Sequence, residues 1–180
     1  YGNKYGDNSR YFYEWMTKNK PEYNCIWITK NQNITADISE KGNRVKLQGS
    51  LSAIWLHLRA EAVFCNTSHE SDLSGKILNN KTVVFNLWHG TPIKKIGLDA
   101  IDSAIDPRKL GIKKTSFIRQ LFPQKLFNSI KQLVTLRVFY LASSPSVGDI
   151  LQSAMGVSEE HIIINGFPKL DHLIKAPKNL

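Results

Sequence analysis

The sequence is poor in cysteine, with two in 180 residues. Cys25 and Cys65 both lie in apolar, strand-like segments, and a single pair of cysteines provides no disulfide framework. We therefore expect two buried free thiols in a reducing compartment. The chain also has no signal peptide and no apolar run long enough to cross a membrane. It opens at Tyr1 rather than at Met, so we expect a fragment of a longer protein.

Two patterns typical of ligand sites are missing as well. The five histidines include no pair at positions i and i+4, and no Cys-x-x-Cys pair is present. These spacings mark zinc sites, so no metal site is predicted. There is also no glycine-rich phosphate-binding loop. No cofactor is therefore predicted, and the sequence leaves open whether a divalent metal takes part.

Acidic residues are absent from residues 107–148, although the whole chain has a net charge of +9. That stretch holds eight basic side chains, whereas the rest of the chain balances 16 basic residues against 15 acidic ones. The excess charge therefore belongs to one segment. A concentrated basic surface attracts an anionic partner such as a membrane, a nucleic acid or a polyphosphate.

Residues 107–137 mix these cations with apolar side chains. On a helical wheel the apolar residues of 125–134 fill an arc of about 120°, bordered by Lys125 and Lys131. The pattern suits a helix at a membrane surface, and it suits equally a helix packed on its own core. We expect a basic amphipathic segment that contacts an anionic membrane. The cations expected to face the lipid are Lys113, Lys114, Arg119, Lys125 and Lys131.

Short strands alternate with helices along the chain, which predicts an α/β fold with a Rossmann-like, mostly parallel sheet. The predicted strands are 25–29, 44–47, 62–65, 82–86, 137–142 and 161–164. The predicted helices run from a cap at 7–9 to about 18, from Ser50 with Leu51, Ile54, Trp55 and Leu58 on one face, from Pro123 to about 134, and from a Ser144-Pro145 cap to about 155. Residues 30–43 are predicted to be a loop and residues 101–123 to be irregular.

The densest cluster of reactive side chains follows the strand at 82–86. His89, Gly90 and Thr91 come first, and Lys94 and Lys95 follow. An imidazole takes up a proton near neutral pH, and lysines hold phosphate oxygens. This arrangement favours His89 as the base in a transfer to or from a phosphate, with Thr91, Lys94 and Lys95 binding the phosphate. The competing interpretation is a histidine satisfied by backbone partners in a tight turn.

Other polar loops are expected at the same edge of the sheet, because ligands bind outside the carboxyl ends of parallel strands. By this criterion the loops 66–70, 86–95 and 165–169 should meet. Gly166, Pro168 and Lys169 would line the cleft with Gly90, although an ordinary turn explains them as well. Arg10, near the start of the first helix, is a further candidate for phosphate, or else a surface arginine beside a cap.

Three segments together resemble the N-terminal half of the CDP-glycerol glycerophosphotransferases, which include teichoic acid primases and polymerases and related capsule enzymes. The segments are YGNKYGDNSRYFYEWM, NLWHGTPIKKIG and SSPSVGDILQSAMGVSEEHIIINGFPKLDHLI. The Trp-His-Gly-Thr-Pro block is the specific one. The family usually has arginine where this chain has Lys169, which keeps the charge but loses the bidentate fork.

The resemblance implies a bacterial cell-wall enzyme with a GT-B fold, in which two Rossmann-like lobes enclose the site. Residues 1–180 would be the acceptor-side lobe, and the nucleotide-binding lobe is absent, so the isolated chain is expected to be inactive. The implied reaction is attack of an acceptor hydroxyl on the β-phosphorus of CDP-glycerol with release of CMP, and His89 matches the family's proposed base. The implied acceptor is a lipid-linked glycan or polyol phosphate, at the cytoplasmic face of the cell membrane.

The resemblance does not distinguish glycerol from ribitol phosphate, or a primase from a polymerase. The competing class is a non-catalytic basic Rossmann-like module that binds nucleic acid or anionic lipid. It explains the charge but not the loop around His89. The sequence also lacks the alternating basic and aromatic residues on one sheet face with which proteins bind single-stranded nucleic acid. No nucleic-acid partner is therefore expected. The oligomeric state is not predicted.

Overall fold

The structure is a computed structural model that describes residues 4–74, 77–104 and 137–175. Helices and parallel strands alternate along it, so the predicted α/β class is confirmed. The helices are α1 (Asp7–Asn19), α2 (Gln32–Glu40), α3 (Leu51–Arg59), α4 (His69–Asp72), α5 (Gly97–Ala104), α6 (Pro145–Met155) and α7 (Pro168–Lys175). The strands are β1 (Trp27–Thr29), β2 (Val45–Leu47), β3 (Ala62–Cys65), β4 (Val83–Asn86), β5 (Arg137–Ala142) and β6 (Ile162–Ile164).

Four of the strands form the main sheet, in the order β3-β4-β5-β6, and every neighbouring pair is parallel. The register pairs Phe64 with Phe85 and Phe85 with Phe139. Their rings stack across the strands with centroids 5.1 and 5.6 Å apart, and His161 extends the row at 5.5 Å. Such cross-strand pairs stabilise the sheet. Because all four strands are parallel, their carboxyl ends lie at one edge.

Strands β1 and β2 form a separate parallel pair, and the helix between them corrects the sequence prediction. Residues 30–43 were expected to be a loop, but α2 occupies Gln32–Glu40. The Asn31 side chain caps it by accepting the N–H of Asn33 at 3.0 Å. Ile38 is 1% exposed and is spaced four residues from Ile34. Two isoleucines are too few for a periodic pattern, so the sequence does not predict this helix.

Helix α6 covers the main sheet and follows the prediction closely. The Ser144 hydroxyl accepts the N–H of Val147, Pro145 occupies the first turn, and Gly156 ends the helix in a left-handed conformation. Its buried face supplies Val147 and Leu151 to a core shared with Trp88, Ala142 and Phe167.

Helix α3 turns its apolar stripe to solvent. Leu51, Trp55 and Leu58 are 86%, 55% and 51% exposed, and the buried positions are Ala53 and His57. Nδ1 of His57 donates to the carbonyl of Ala53 at 2.5 Å, and Nε2 accepts the N–H of Ser74 at 3.4 Å. The predicted cap is confirmed, since the Ser50 hydroxyl accepts the N–H of Ala53.

Other parts of the fold also differ from the sequence predictions. Helix α5 occupies Gly97–Ala104, so the start of the stretch expected to be irregular is helical, and α7 was not predicted at all. The cap of α1 is Gly6, with no side-chain hydrogen bond, rather than residues 7–9. Both thiols are free, but only Cys65 is buried, because Cys25 is half-buried.

The membrane-association prediction falls outside the described residues, except for Arg137, which is exposed at the start of β5. The five expected lipid contacts at Lys113, Lys114, Arg119, Lys125 and Lys131, and the helix predicted from Pro123, are not described. Within 4–74, 77–104 and 137–175, no helix is long and apolar enough to cross a membrane.

Candidate functional site

The three polar loops expected to meet do lie together at the carboxyl edge of the main sheet. The Asn86 side chain joins two of them, because its Nδ2 donates to the carbonyl of Thr67 at 2.7 Å and its Oδ1 accepts the N–H of Trp88 at 2.9 Å. The third loop joins them through Phe167, which packs in the same core cluster as Trp88. The edge is therefore one continuous surface with His89 on it.

Just after the end of β4, Trp88 is buried and the neighbouring His89 is exposed. Trp88 is 6% exposed and has a φ of +54°, a left-handed conformation that costs a residue with a side chain about 1–2 kcal/mol. His89 is exposed, and its ring stacks on the indole with centroids 4.8 Å apart and planes 19° apart. The strained residue thus anchors a buried ring on which the imidazole is presented to solvent.

Asn8 holds the backbone that leads into His89, and it is fully buried. Its Nδ2 donates to the carbonyls of Leu87 and Trp88 at 3.1 and 2.8 Å. Its Oδ1 accepts the N–H of Lys169 at 3.2 Å. The sequence predicts Asn8 only as a candidate helix cap, because its partners lie 79 and 161 positions away.

Lys169 is placed beside His89, but its ammonium group is engaged within the protein. Nζ of Lys169 donates to the carbonyl of His89 at 2.6 Å and forms an ion pair with Asp7 at 3.0 Å. Gly166 has a φ of +72°, and Pro168 begins α7. The loop at 165–169 therefore contacts the loop at 86–95 through Lys169.

The residues expected to bind phosphate divide between two places. Lys94 and Lys95 are exposed and line an open cavity of about 460 Å³ with Asp99 and Ile150. Thr91 is exposed on the chain between them and His89.

Arg10 lies elsewhere on the surface. Its Nε donates to Glu14 Oε1 at 2.9 Å, and it lines a different cavity of about 400 Å³ with Lys4, Asp37 and Lys41. The Glu14 hydrogen bond raises the pKa of the Arg10 guanidinium, so this side chain stays cationic. The structure thus separates Arg10 from the two lysines.

Cys65 is the last residue of β3 and is buried. Burial raises the pKa of its thiol, and the nearby Asp72 and Glu70 carboxylates add to the effect. Asp72 shapes the neighbouring loop, since its Oδ2 accepts the N–H groups of Asn66 and Thr67 at 2.8 and 2.9 Å. A buried, protonated thiol is a poor nucleophile, so Cys65 is not a reactive group at this edge.

No group of three or more metal-binding side chains comes together in the part of the chain that the structure describes.

A protein-family model described as CDP-Glycerol:Poly(glycerophosphate) glycerophosphotransferase matches residues 1–179. Among curated proteins, the chain is 28% identical to a teichoic acid poly(glycerol phosphate) polymerase of Staphylococcus epidermidis, over 96% of this chain and 22% of that protein. It is 30% identical to a teichoic acid glycerol-phosphate transferase of Staphylococcus aureus, over 96% of this chain and 40% of that one. The chain therefore spans less than half the length of these relatives.

Among solved structures, the wall teichoic acid polymerase TagF superposes with a TM-score of 0.63 at 24% identity. The match covers 98% of this chain and 39% of that one. At this identity the likeness speaks for the fold. It confirms the expected Rossmann-like α/β architecture of the GT-B type.

Proposed function

The chain belongs to the CDP-glycerol:poly(glycerophosphate) glycerophosphotransferase family, and from that premise we propose that it is part of a transferase of teichoic acid synthesis. The enzyme moves glycerol phosphate, or a related polyol phosphate, from CDP-glycerol to a lipid-linked or polysaccharide acceptor. Residues 1–180 form the acceptor-side lobe, and the nucleotide is held elsewhere in the complete protein. The names of the relatives support teichoic acid as the product.

The proposed step exchanges one bond to phosphorus for another. The acceptor hydroxyl attacks the phosphorus that carries the glycerol, its proton passes to the imidazole of His89, and CMP leaves with the electron pair of the broken P–O bond. Phosphoryl transfer depends on positioning and on neutralising charge. A base hydrogen-bonded to the attacking hydroxyl contributes typically about 10²–10⁴-fold.

A single observation carries this proposal: the exposed His89 imidazole stands at the carboxyl edge of the sheet, where three loops meet. Ligands of open α/β sheets bind at this edge. The exposed side chains of Thr91, Lys94 and Lys95 follow on the same stretch, which supports a role in holding substrate phosphates. Gly90, Gly166 and Pro168 line the same cleft in this proposal.

We place the enzyme at the cytoplasmic face of the cell membrane, held by the basic segment 107–137. The support is the eight cations without an acid at residues 107–148, which favour an anionic surface. A lipid-linked acceptor would be reached from there. Nucleic acid is not a partner in this proposal.

The test is turnover of radiolabelled CDP-glycerol by the complete protein with a lipid-linked acceptor. His89→Gln should lower kcat by at least about 10²-fold, because the acceptor hydroxyl loses its base. His161→Gln is the matched control, since His161 lies in the 3-10 turn that precedes β6, at the opposite edge of the sheet. The control should keep wild-type turnover, and both variants should keep the wild-type melting temperature within a few degrees.

Activity of the His89 variant within a few-fold of wild type would refute the assignment of the base. The chain 1–180 alone should give no turnover, because the proposal places the nucleotide outside it. Turnover by the isolated chain would refute the proposed division into lobes.

A further inference from the structure

Three consecutive carbonyl groups at His89 are each held by a side chain from a distant part of the sequence. Asn8 Nδ2 donates to the carbonyls of Leu87 and Trp88, and Lys169 Nζ donates to the carbonyl of His89. Charged donors form the stronger hydrogen bonds, and the bond from Lys169 is the shortest of the three at 2.6 Å. The backbone is therefore fixed at every residue on the way into His89.

The two donors are also joined to each other. Asn8 Oδ1 accepts the backbone N–H of Lys169 at 3.2 Å, and Asp7 Oδ1 accepts from Lys169 Nζ at 3.0 Å and from the N–H of Asn8 at 2.9 Å. Both donors and the acceptor of the Asn8 amide are thus used, as a fully buried amide requires. α1, α7 and the loop after β4 share one hydrogen-bond network.

The loop needs such support because Trp88 is held with a φ of +54°. A bulky residue keeps a left-handed conformation only when its surroundings determine it. If Trp88 relaxed to an ordinary conformation, the buried indole and the exposed imidazole would lose their parallel stacking. The network is therefore placed to control the direction of the His89 ring.

We propose that Asn8 and Lys169 are positioning residues for His89, which keep its imidazole on the indole face of Trp88. The proposal rests on the function proposed above for His89. It assigns the Lys169 ammonium to the loop backbone and Asp7, and not to a substrate phosphate. Asn8 and Lys169 act through the loop and touch no reacting atom.

The test compares three variants of the complete protein by NMR and by kinetics. Asn8→Asp keeps the acceptor but replaces the donor with an oxygen that repels the two carbonyls. Lys169→Met removes the ammonium, and Lys169→Arg keeps a cationic donor. The NMR readout is the ring-current shift that the indole gives the carbon-bound ring protons of His89, assigned by their absence in His89→Gln.

In Asn8→Asp and Lys169→Met the His89 signals should move to the position of an unstacked histidine. Their kcat should fall about 10-fold or more, with KM for CDP-glycerol within about two-fold, because a displaced base slows the chemical step but leaves binding intact. Lys169→Arg should restore both readouts.

Thr82→Val is the matched control for lost stability. Thr82 is 1% exposed, and its hydroxyl donates to the carbonyl of Ala60 at 2.7 Å at the opposite end of β4. This variant should lower the melting temperature without moving the His89 signals.

Unmoved His89 signals in folded Lys169→Met would overturn the proposal, and so would a raised KM with unchanged kcat, which would assign Lys169 to substrate phosphate. If Asn8→Asp does not fold, the half-buried Lys169 still decides the question through its two variants. Failure of the proposed function would show separately, as full activity in His89→Gln while the NMR shifts respond as expected.

Discussion

At the scale of single residues, the two cysteines differ in their environments and should differ in reactivity. Cys65 is 2% exposed, and burial raises the pKa of its thiol, helped by Asp72 and Glu70. Burial also raises the pKa of Cys25, but that side chain is only half-buried. Since the thiolate is the reactive form, a raised pKa and lost access both slow the reaction of Cys65.

We expect a thiol-specific disulfide reagent at pH 8 to modify Cys25 in the native protein and Cys65 only after unfolding in urea. Cys25→Ser should remove the native-state reaction, and Cys65→Ser should leave it unchanged. Fast native modification of the Cys25→Ser variant at Cys65, located by peptide mass, would show that β3 opens readily.

His89 and Asn8 differ in how well the sequence predicts their place in the site. The motif at residues 86–97 makes His89 a candidate base, because the residues that single it out are its neighbours in the sequence. Asn8 was indistinguishable from Asp7 and Ser9 as a cap candidate. Its partners lie 79 to 161 residues away, so its role exists only in the folded chain.

At the scale of elements, local signals decide which helices are predictable. α6 begins with a capping serine and a first-turn proline, which predict its start, and Gly156 ends it. α3 was predicted as a helix, but its larger apolar side chains are exposed, and small Ala53 and polar His57 are buried. Periodicity shows which residues share a helix face, but it does not show which face the neighbouring elements cover.

Gly97 tests the packing of α5 against α6. It has a φ of +53°, and a Cβ there would lie 2.1 Å from the carbonyl oxygen of Ala154. Gly42 has a φ of +73° with open space around it. Gly42→Ala should therefore cost only the left-handed conformation, about 1–2 kcal/mol. Gly97→Ala should cost about 1–3 kcal/mol more, because the helices must move apart.

The measurement is urea unfolding of both variants, compared through the midpoint at unchanged slope. Equal destabilisation would mean that α5 and α6 separate at little cost, contrary to the close approach at Gly97.

At the scale of the whole molecule, the charge is divided unevenly. The net charge is +9, and eight basic residues without an acid fall within residues 107–148. The remaining sequence is close to neutral, with 16 basic residues against 15 acidic ones. The sequence predicts this division without knowledge of the fold, because charge depends on composition alone.

Membrane association should therefore follow the position of the cations and not their number. Replacing Lys113, Lys114, Arg119, Lys125 and Lys131 with Gln lowers the net charge of this chain from +9 to +4. A control with Gln at the exposed residues Lys18, Lys20, Lys41, Lys46 and Lys81 lowers it equally. Each cation near an anionic surface contributes about 1 kcal/mol, and salt screens the attraction.

Co-sedimentation of the complete protein with phosphatidylglycerol-containing vesicles and with pure phosphatidylcholine vesicles measures the effect. The wild type and the control should bind the anionic vesicles, and binding should weaken as salt rises. The variant within 113–131 should lose this binding. Equal losses in both variants would mean that net charge alone drives the attraction. If both variants still bind the anionic vesicles, apolar side chains make the contact. The loss of five cations, at about 1 kcal/mol each, would otherwise weaken binding measurably.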